Sequence, residues 1–200
     1  MKTSALFAAI ASAAVLSACA TPAYVSPVEV TRFSAPQATS LGSGTIAVRA
    51  APGQEETFGF AAYRNAVSEQ LGLLGYTVTN GEARQYADIS VQRLVAGQSQ
   101  GRSPVDVGGG GSTGSYGSGV GVGVGINLNS LSGPPADRID TEMRVTIRPA
   151  SSNDALWEGR ARFTATSNSD FATEQAAASK LAGALFTGFP GQSGETIEVR

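Results

Sequence analysis

The residues best placed for covalent chemistry lie near the start of the chain, in Leu16-Ser17-Ala18-Cys19. Cys19 is the single cysteine, and a thiolate is a good nucleophile for taking up a diacylglyceryl thioether. Ser17 and Ala18 are small, as a signal-peptidase pocket requires. Lys2 gives the preceding stretch a positive start, and residues 6–16 are apolar apart from Ser12. That is about the length of a signal-peptide core and short of the roughly 20 apolar residues that cross a bilayer as a helix. The pattern is a lipobox, set against a plain secretion signal carrying a chance cysteine. The position, the small neighbours and the uniqueness of Cys19 favour the lipobox. Residues 1–18 are therefore expected to be a signal peptide cleaved between Ala18 and Cys19. Cys19 is expected to carry diacylglyceryl and palmitate, because stable anchoring needs more than one chain.

A second chemistry would use carboxylates. The chain has no histidine, and an acylated Cys19 leaves no free thiol. This argues against Ser-His and Cys-His nucleophiles, a histidine base, and zinc or copper sites built on His or Cys. No cofactor or metal is expected, and an intramolecular disulfide is excluded. The carboxylates worth weighing are Glu142 and Glu158, read as a glycosidase pair. They belong to a polar set of Asp140, Glu142, Arg144, Glu158, Arg160 and Arg162. That set reads either as cross-strand ion pairing on a solvated sheet face or as an anion- or sugar-binding patch.

These residues need elements to hold them. Residues 138–148 alternate strictly, with Ile139, Thr141, Met143, Val145 and Ile147 on one face and the charged residues on the other. Trp157, Gly159, Ala161 and Phe163 alternate with Glu158, Arg160 and Arg162, so an antiparallel hairpin is expected. Residues 28–33, 45–49, 76–79, 88–95 and 196–199 read as further strands. Asp88 sits at the entrance of one, as a turn or hydrogen-bonding residue. Phe60, Tyr63, Val67, Leu71 and Leu74 make an apolar stripe over residues 58–74, with Glu55 and Glu56 near the helix start and Gly75 at its end. Tyr63 and Tyr76 are expected in the core with their hydroxyls at the surface. Asp170 is expected to cap a second helix with Phe171, Ala178, Leu181, Ala182 and Leu185 on its stripe.

Residues 97–135 form a glycine-rich insert with Gly108, Gly109, Gly110 and Gly111 in a row and a Val-Gly alternation over residues 120–125. A phosphate-cradling loop would need a nearby lysine and a following helix, and neither is present. The Ser/Gly part up to Gly119 reads as a linker, and residues 120–126 as a glycine-rich strand whose hydrophobic edge invites pairing. Residues 19–27 read as the lipidated N-terminus and a Pro-containing tether. Residues 28–200 read as a single α+β domain.

Sixteen acidic against fourteen basic side chains give a net charge of −2, which does not fit a nucleic-acid binder. Several short motifs, taken in order, resemble the bacterial lipoproteins catalogued as domain of unknown function 4136. They are the lipobox, Leu73-Leu74-Gly75-Tyr76, Ala87-Asp88-Ile89, the glycine-rich insert, Leu156-Trp157-Glu158-Gly159-Arg160-Ala161, and Phe189-Pro190 after an amphipathic helix. The resemblance covers most of residues 28–191. It implies a two-layer α+β sandwich, a mostly antiparallel sheet with two amphipathic helices on one face. It carries over no catalytic residues, because that family has no established activity. Ala20 follows the cysteine where an aspartate would favour inner-membrane retention, so the outer membrane facing the periplasm is expected in a Gram-negative host.

The functional expectation is a non-enzymatic binding or structural module, partnered with the membrane through its lipid and with envelope proteins. The alternatives are a transport- or assembly-complex subunit docking through the glycine-rich strand, and a carboxylate-only hydrolase acting on envelope glycans.

Overall fold

The computed structural model describes residues 22–36, 38, 40–96, 105–111, 120–126 and 136–200. Leu16-Ser17-Ala18-Cys19 lies outside the described residues, as do Gly114, Gly117, Gly119, Leu128 and Leu131 of the insert.

Ala23–Gly97 and Asp137–Arg200 make one compact unit. Its strands are β1 (Val28–Ser34), β2 (Thr45–Ala50), β3 (Thr77–Thr79), β4 (Gln85–Ala96), β7 (Arg138–Pro149), β8 (Trp157–Thr166) and β9 (Thr196–Val199). They form a seven-stranded sheet in the order β3-β2-β4-β7-β8-β1-β9. β2 runs parallel to β3 and β4, while the β4–β7, β7–β8, β8–β1 and β1–β9 pairs are antiparallel. Helices α1 (Phe60–Leu73) and α2 (Glu174–Phe186) pack on one face of this sheet. The expected α+β sandwich, with a mostly antiparallel sheet and two helices on one side, is the fold observed.

The alternation in sequence becomes the division between the faces. Val28, Val30, Ile46, Ile89, Met143, Val145, Ile147, Trp157 and Ala161 are fully or nearly fully buried under the helices. Trp157 centres one end of the core, its ring 5.5 Å from Phe186 and 5.1 Å from Phe189 between centroids, and its indole N–H donates to Pro190 O at 2.9 Å. The indole folds back over Gly159, where a Cβ would overlap both the Trp157 ring and Leu185. That overlap explains the Trp-Glu-Gly spacing.

α1 buries Phe60, Tyr63, Ala66, Val67 and Leu71 and ends in a Schellman motif. Tyr76 N donates to Leu71 O and Gly75 N to Gly72 O, both at 3.1 Å, around Gly75 at φ +100°. Its first turn holds no acidic residue. Thr57 Oγ1 accepts from Phe60 N at 3.2 Å instead, and Glu56 pairs with Arg64 at 3.1 Å. Asp170 does not cap α2. Asp170–Ala172 is a separate 3-10 turn. Thr173, with extended backbone, ends that turn and accepts from Ala176 N at 3.3 Å to start the helix.

The tyrosine hydroxyls are not at the surface. Tyr63 and Tyr76 are buried, and Tyr76 Oη donates to Gln85 Oε1 at 3.4 Å. Gln85 in turn donates to Ser40 O and Ser43 O at 3.0 and 3.2 Å, fastening the loop before β2. Tyr24 and Ser26, expected in a tether, are already bonded to β8. Ser26 N donates to Thr164 O and Thr166 N to Tyr24 O, both at 2.9 Å.

In the other unit, β5 (Val105–Gly111) pairs antiparallel with β6 (Val120–Ile126). The linker expected up to Gly119 is therefore a strand over Gly108, Gly109, Gly110 and Gly111. Backbone pairing needs no side chains, and the register sets Gly108 opposite Gly123, Gly110 opposite Gly121 and Val107 opposite Val124.

Candidate functional site

The face of the sheet turned away from the helices carries the polar set. Cross-strand register aligns it in rows. One row runs Gln92, Glu142, Arg162, Glu29, Glu198 from β4 to β9. Arg162 Nη2 donates to both Glu29 carboxylate oxygens, at 2.9 and 2.8 Å. Hydrogen bonding and charge from Glu29, with Glu142 further off, hold the Arg162 guanidinium above its ordinary pKa. Glu198 stands opposite Glu29, so two like charges face each other across β1 and β9.

The neighbouring row holds Leu94, Asp140 and Thr164. The Thr164 hydroxyl donates to the Asp140 carboxylate. Over these two rows lies a depression of about 620 Å³, with Tyr24, Pro27 and Leu94 among its walls and Glu29, Asp140, Glu142, Glu198 and Arg162 as its charges.

On the other side, Arg144 stands opposite Arg160. Its Nη2 lies 3.8 Å from Glu142 and its Nε 3.7 Å from Glu158. One guanidinium thus contacts both carboxylates of the suggested hydrolytic pair. Arg160 has no ion-pair partner among the described residues. The six expected patch residues therefore share one face but divide by role. Asp140, Glu142 and Arg162 line the depression, and Arg144, Arg160 and Glu158 form a strip beside it with two cations against one carboxylate.

Asp88 is not at a strand entrance. It lies within β4, paired with Arg49 and Thr146, and is 3% exposed. Arg49 Nε and Arg148 Nη2 each approach one of its carboxylate oxygens at 2.5 Å, and Arg49 lies 3.9 Å over the Tyr86 ring. A buried carboxylate held by two cations is a fastening between strands. Strand parity places Asp88 on the outer face, but Arg49 of β2 and Arg148 of β7 close over it, and Arg49 is itself seated on Tyr86 of β4.

Two further polar groups lie on the covered face. Arg32 donates from Nε to Leu185 O at 3.0 Å and from Nη2 to Ala184 O at 3.1 Å. It brings a cation to the C-terminal end of α2, whose last turn has none of its own. Burial lowers its pKa, and Glu195 opposes that effect. Its signal was available: Val28, Val30 and Arg32 share a parity. Near the other end, the Tyr63 hydroxyl and Arg93 Nη1 are buried without a well-formed hydrogen bond. Burial pushes the Tyr63 hydroxyl up, and neighbouring Arg93 draws it part of the way back. Arg93 Nη2 donates to Ala172 O.

Among the described residues no cluster of three His, Cys, Asp or Glu could hold a metal ion, and no helix is long and apolar enough to cross a membrane. Cys19 and Ala18 lie outside the described residues.

No protein-family model matches the chain. A stretch of 65 residues, 32% of this chain, is 38% identical to an uncharacterized protein of Zymomonas mobilis. The match spans 24% of that relative's length. Among solved structures, a PelC dodecamer from Paraburkholderia phytofirmans is similar at 13% identity and a TM-score of 0.46, over 83% of this chain and 99% of that one. A PDZ domain protein from Parabacteroides distasonis is similar at 10% identity and a TM-score of 0.48, over 88% of this chain and 38% of that one.

Proposed function

We propose that this chain is a lipid-anchored envelope protein whose α+β unit serves as a non-enzymatic binding or structural module at the periplasmic face of the outer membrane. The observation that carries the reading is Leu16-Ser17-Ala18-Cys19, with its charged start, its short apolar core and the only cysteine of the chain. The resemblance to the lipoproteins of domain of unknown function 4136 belongs to the same proposal. The polar face supports the non-enzymatic part, since Arg144 contacts both Glu142 and Glu158. Two carboxylates bridged by one guanidinium read as cross-strand ion pairing on a solvated sheet face.

Metabolic labelling with a fatty-acid analogue tests the anchor. Label is expected in the wild type, in the outer-membrane fraction, and is expected to be lost in Cys19→Ala. Absence of label from both proteins, or its persistence in the variant, overturns the reading. Hydrolysis of an envelope glycan, abolished by Glu142→Gln or Glu158→Gln, would overturn the non-enzymatic part and favour the carboxylate hydrolase.

One observation favours a second reading, docking through the glycine-rich strand. β6 pairs with β5 alone among the described residues, so its other edge is available to a partner in a transport or assembly complex. Co-purification of the same partners after deletion of residues 108–125 would remove this reading.

A further inference from the structure

Among the described residues, β4 is paired on both sides for only part of its length. On the β2 side the ladder runs from Ile46↔Gln85 to Ala50↔Ile89. Ala51 N then donates to Ile89 O, and Gln54 Oε1 accepts from Val91 N, both at 2.8 Å. Beyond Val91 no described strand lies on that side, while β7 stays paired as far as Ala96↔Arg138. Because alternate residues direct their N–H and C=O groups to the same edge, Arg93 and Val95 present theirs to the open side.

Open edges are commonly guarded by a cation or a proline. Here the Arg93 guanidinium is turned away to Ala172 O. Leu94 and Val95 are 67% and 61% exposed, on opposite faces of the strand. An added strand would cover apolar surface on both faces as well as satisfy the edge.

The depression lies beside this edge, and Gln92 and Leu94 form its wall. It contains four carboxylates against one guanidinium; that guanidinium is engaged by Glu29, and Arg144 approaches Glu142 at 3.8 Å from beside the depression. Glu198 has no ion-pair partner among the described residues and faces Glu29. The uncompensated charge of the site is negative.

We propose that the open edge of β4 and the acidic depression beside it bind an extended basic peptide segment of another protein. The segment adds as a strand to residues 92–96 and directs cationic side chains over Asp140 and Glu142. Main-chain pairing supplies the affinity, and the alternating side chains supply the specificity. This deepens the binding-module reading above and rests on it for the partner's place in the envelope.

The test uses the detergent-solubilised full chain and a fluorescein-labelled peptide of about ten residues, matched to a strand, alternating lysine and valine. Saturable binding is expected, weakened by about tenfold or more in Glu142→Gln/Glu198→Gln and in Leu94→Lys. Val95→Pro is expected to do the same, because it removes an edge N–H while leaving the β7 ladder intact. Thermal melts would show that the variants remain folded. Equal binding of a glutamate–valine peptide would overturn the proposal, as would variants that bind like the wild type. Displacement by spermine as effective as displacement by unlabelled peptide would assign the depression to free polyamines. Dimerisation abolished by Leu94→Lys would assign the edge to a second copy. Each of these failures leaves lipid labelling of Cys19 unaffected, so the anchor and the peptide site stand or fall separately.

Discussion

Arg32 and Asp88 are both charges buried in the same sheet, at 5% and 3% exposure, but they are held in different ways. Arg32 lies under the helices and is satisfied by neutral acceptors, the carbonyls of Leu185 and Ala184, aligned by the end of α2. Asp88 lies on the open face and is satisfied by two opposite charges, Arg49 and Arg148, which bury it themselves. The covered face keeps its shape through packing, so one charge there can rely on a helix terminus. Among the described residues of this unit no layer covers the open face, so its charges organise one another. The same face then has charge left over where the depression lies, at Glu198 and Asp140, which have no ion-pair partner among the described residues.

The contrast predicts a graded set of effects. Trp157→Ala removes the centre of the covered core and is expected to cost about 3–5 kcal/mol. Guanidinium unfolding checks this, and a loss below about 1 kcal/mol would mean that the covered face is not the dominant layer. Asp88→Ala is expected to cost about 1–2 kcal/mol, less than a fully buried pair would, because the abandoned arginines reach solvent. A cost equal to that of Trp157→Ala would erase the distinction between the faces. Arg144→Ala should change stability by about 0.5 kcal/mol or less, since Arg144 and its partners are solvated.

Tyr63→Phe should be close to neutral at pH 7, because the hydroxyl it removes has no well-formed hydrogen bond. Burial raises the folded pKa of Tyr63. Its contribution is therefore intact below the unfolded value of about 10 and is lost as pH rises through the folded value. Thermal melts at rising pH should show the wild type losing stability faster than the phenylalanine variant. Parallel curves would mean that the Tyr63 hydroxyl is not buried in solution.

Much of the covered face was legible because burial under a helix layer imposes a period of two on strands and of three to four on helices. The faces of β7 and β8, the stripe of α1 and the stop at Gly75 all follow from such periods. The misplacing of Asp88 and the passing over of Arg32 and Arg93 share a physical origin. Asp88, Arg32 and Arg93 are charged, and charge argues for exposure unless a partner distant in sequence is known. Arg148 is sixty residues from Asp88, and Leu185 is 153 residues from Arg32. Thr173 displaced Asp170 as the cap because either residue can cap, and only the intervening 3-10 turn chooses between them. Of the candidate site, the six charged residues and their common face followed from alternation. The depression did not, since it also requires Tyr24, Glu29 and Glu198 from strands and segments that pair across the length of the chain.

β1 takes its two neighbours from far along the chain. Its register joins Val30 to Ala161 on one side and to Ile197 on the other. While the polypeptide is being made, this early strand has nothing to pair with until those later segments emerge, and its valines stay in water. Such non-local closure slows folding and prolongs the interval in which an unpaired strand can aggregate. On the proposed reading as an exported lipoprotein, the same delay would keep the sheet from closing before the chain has been threaded through the membrane.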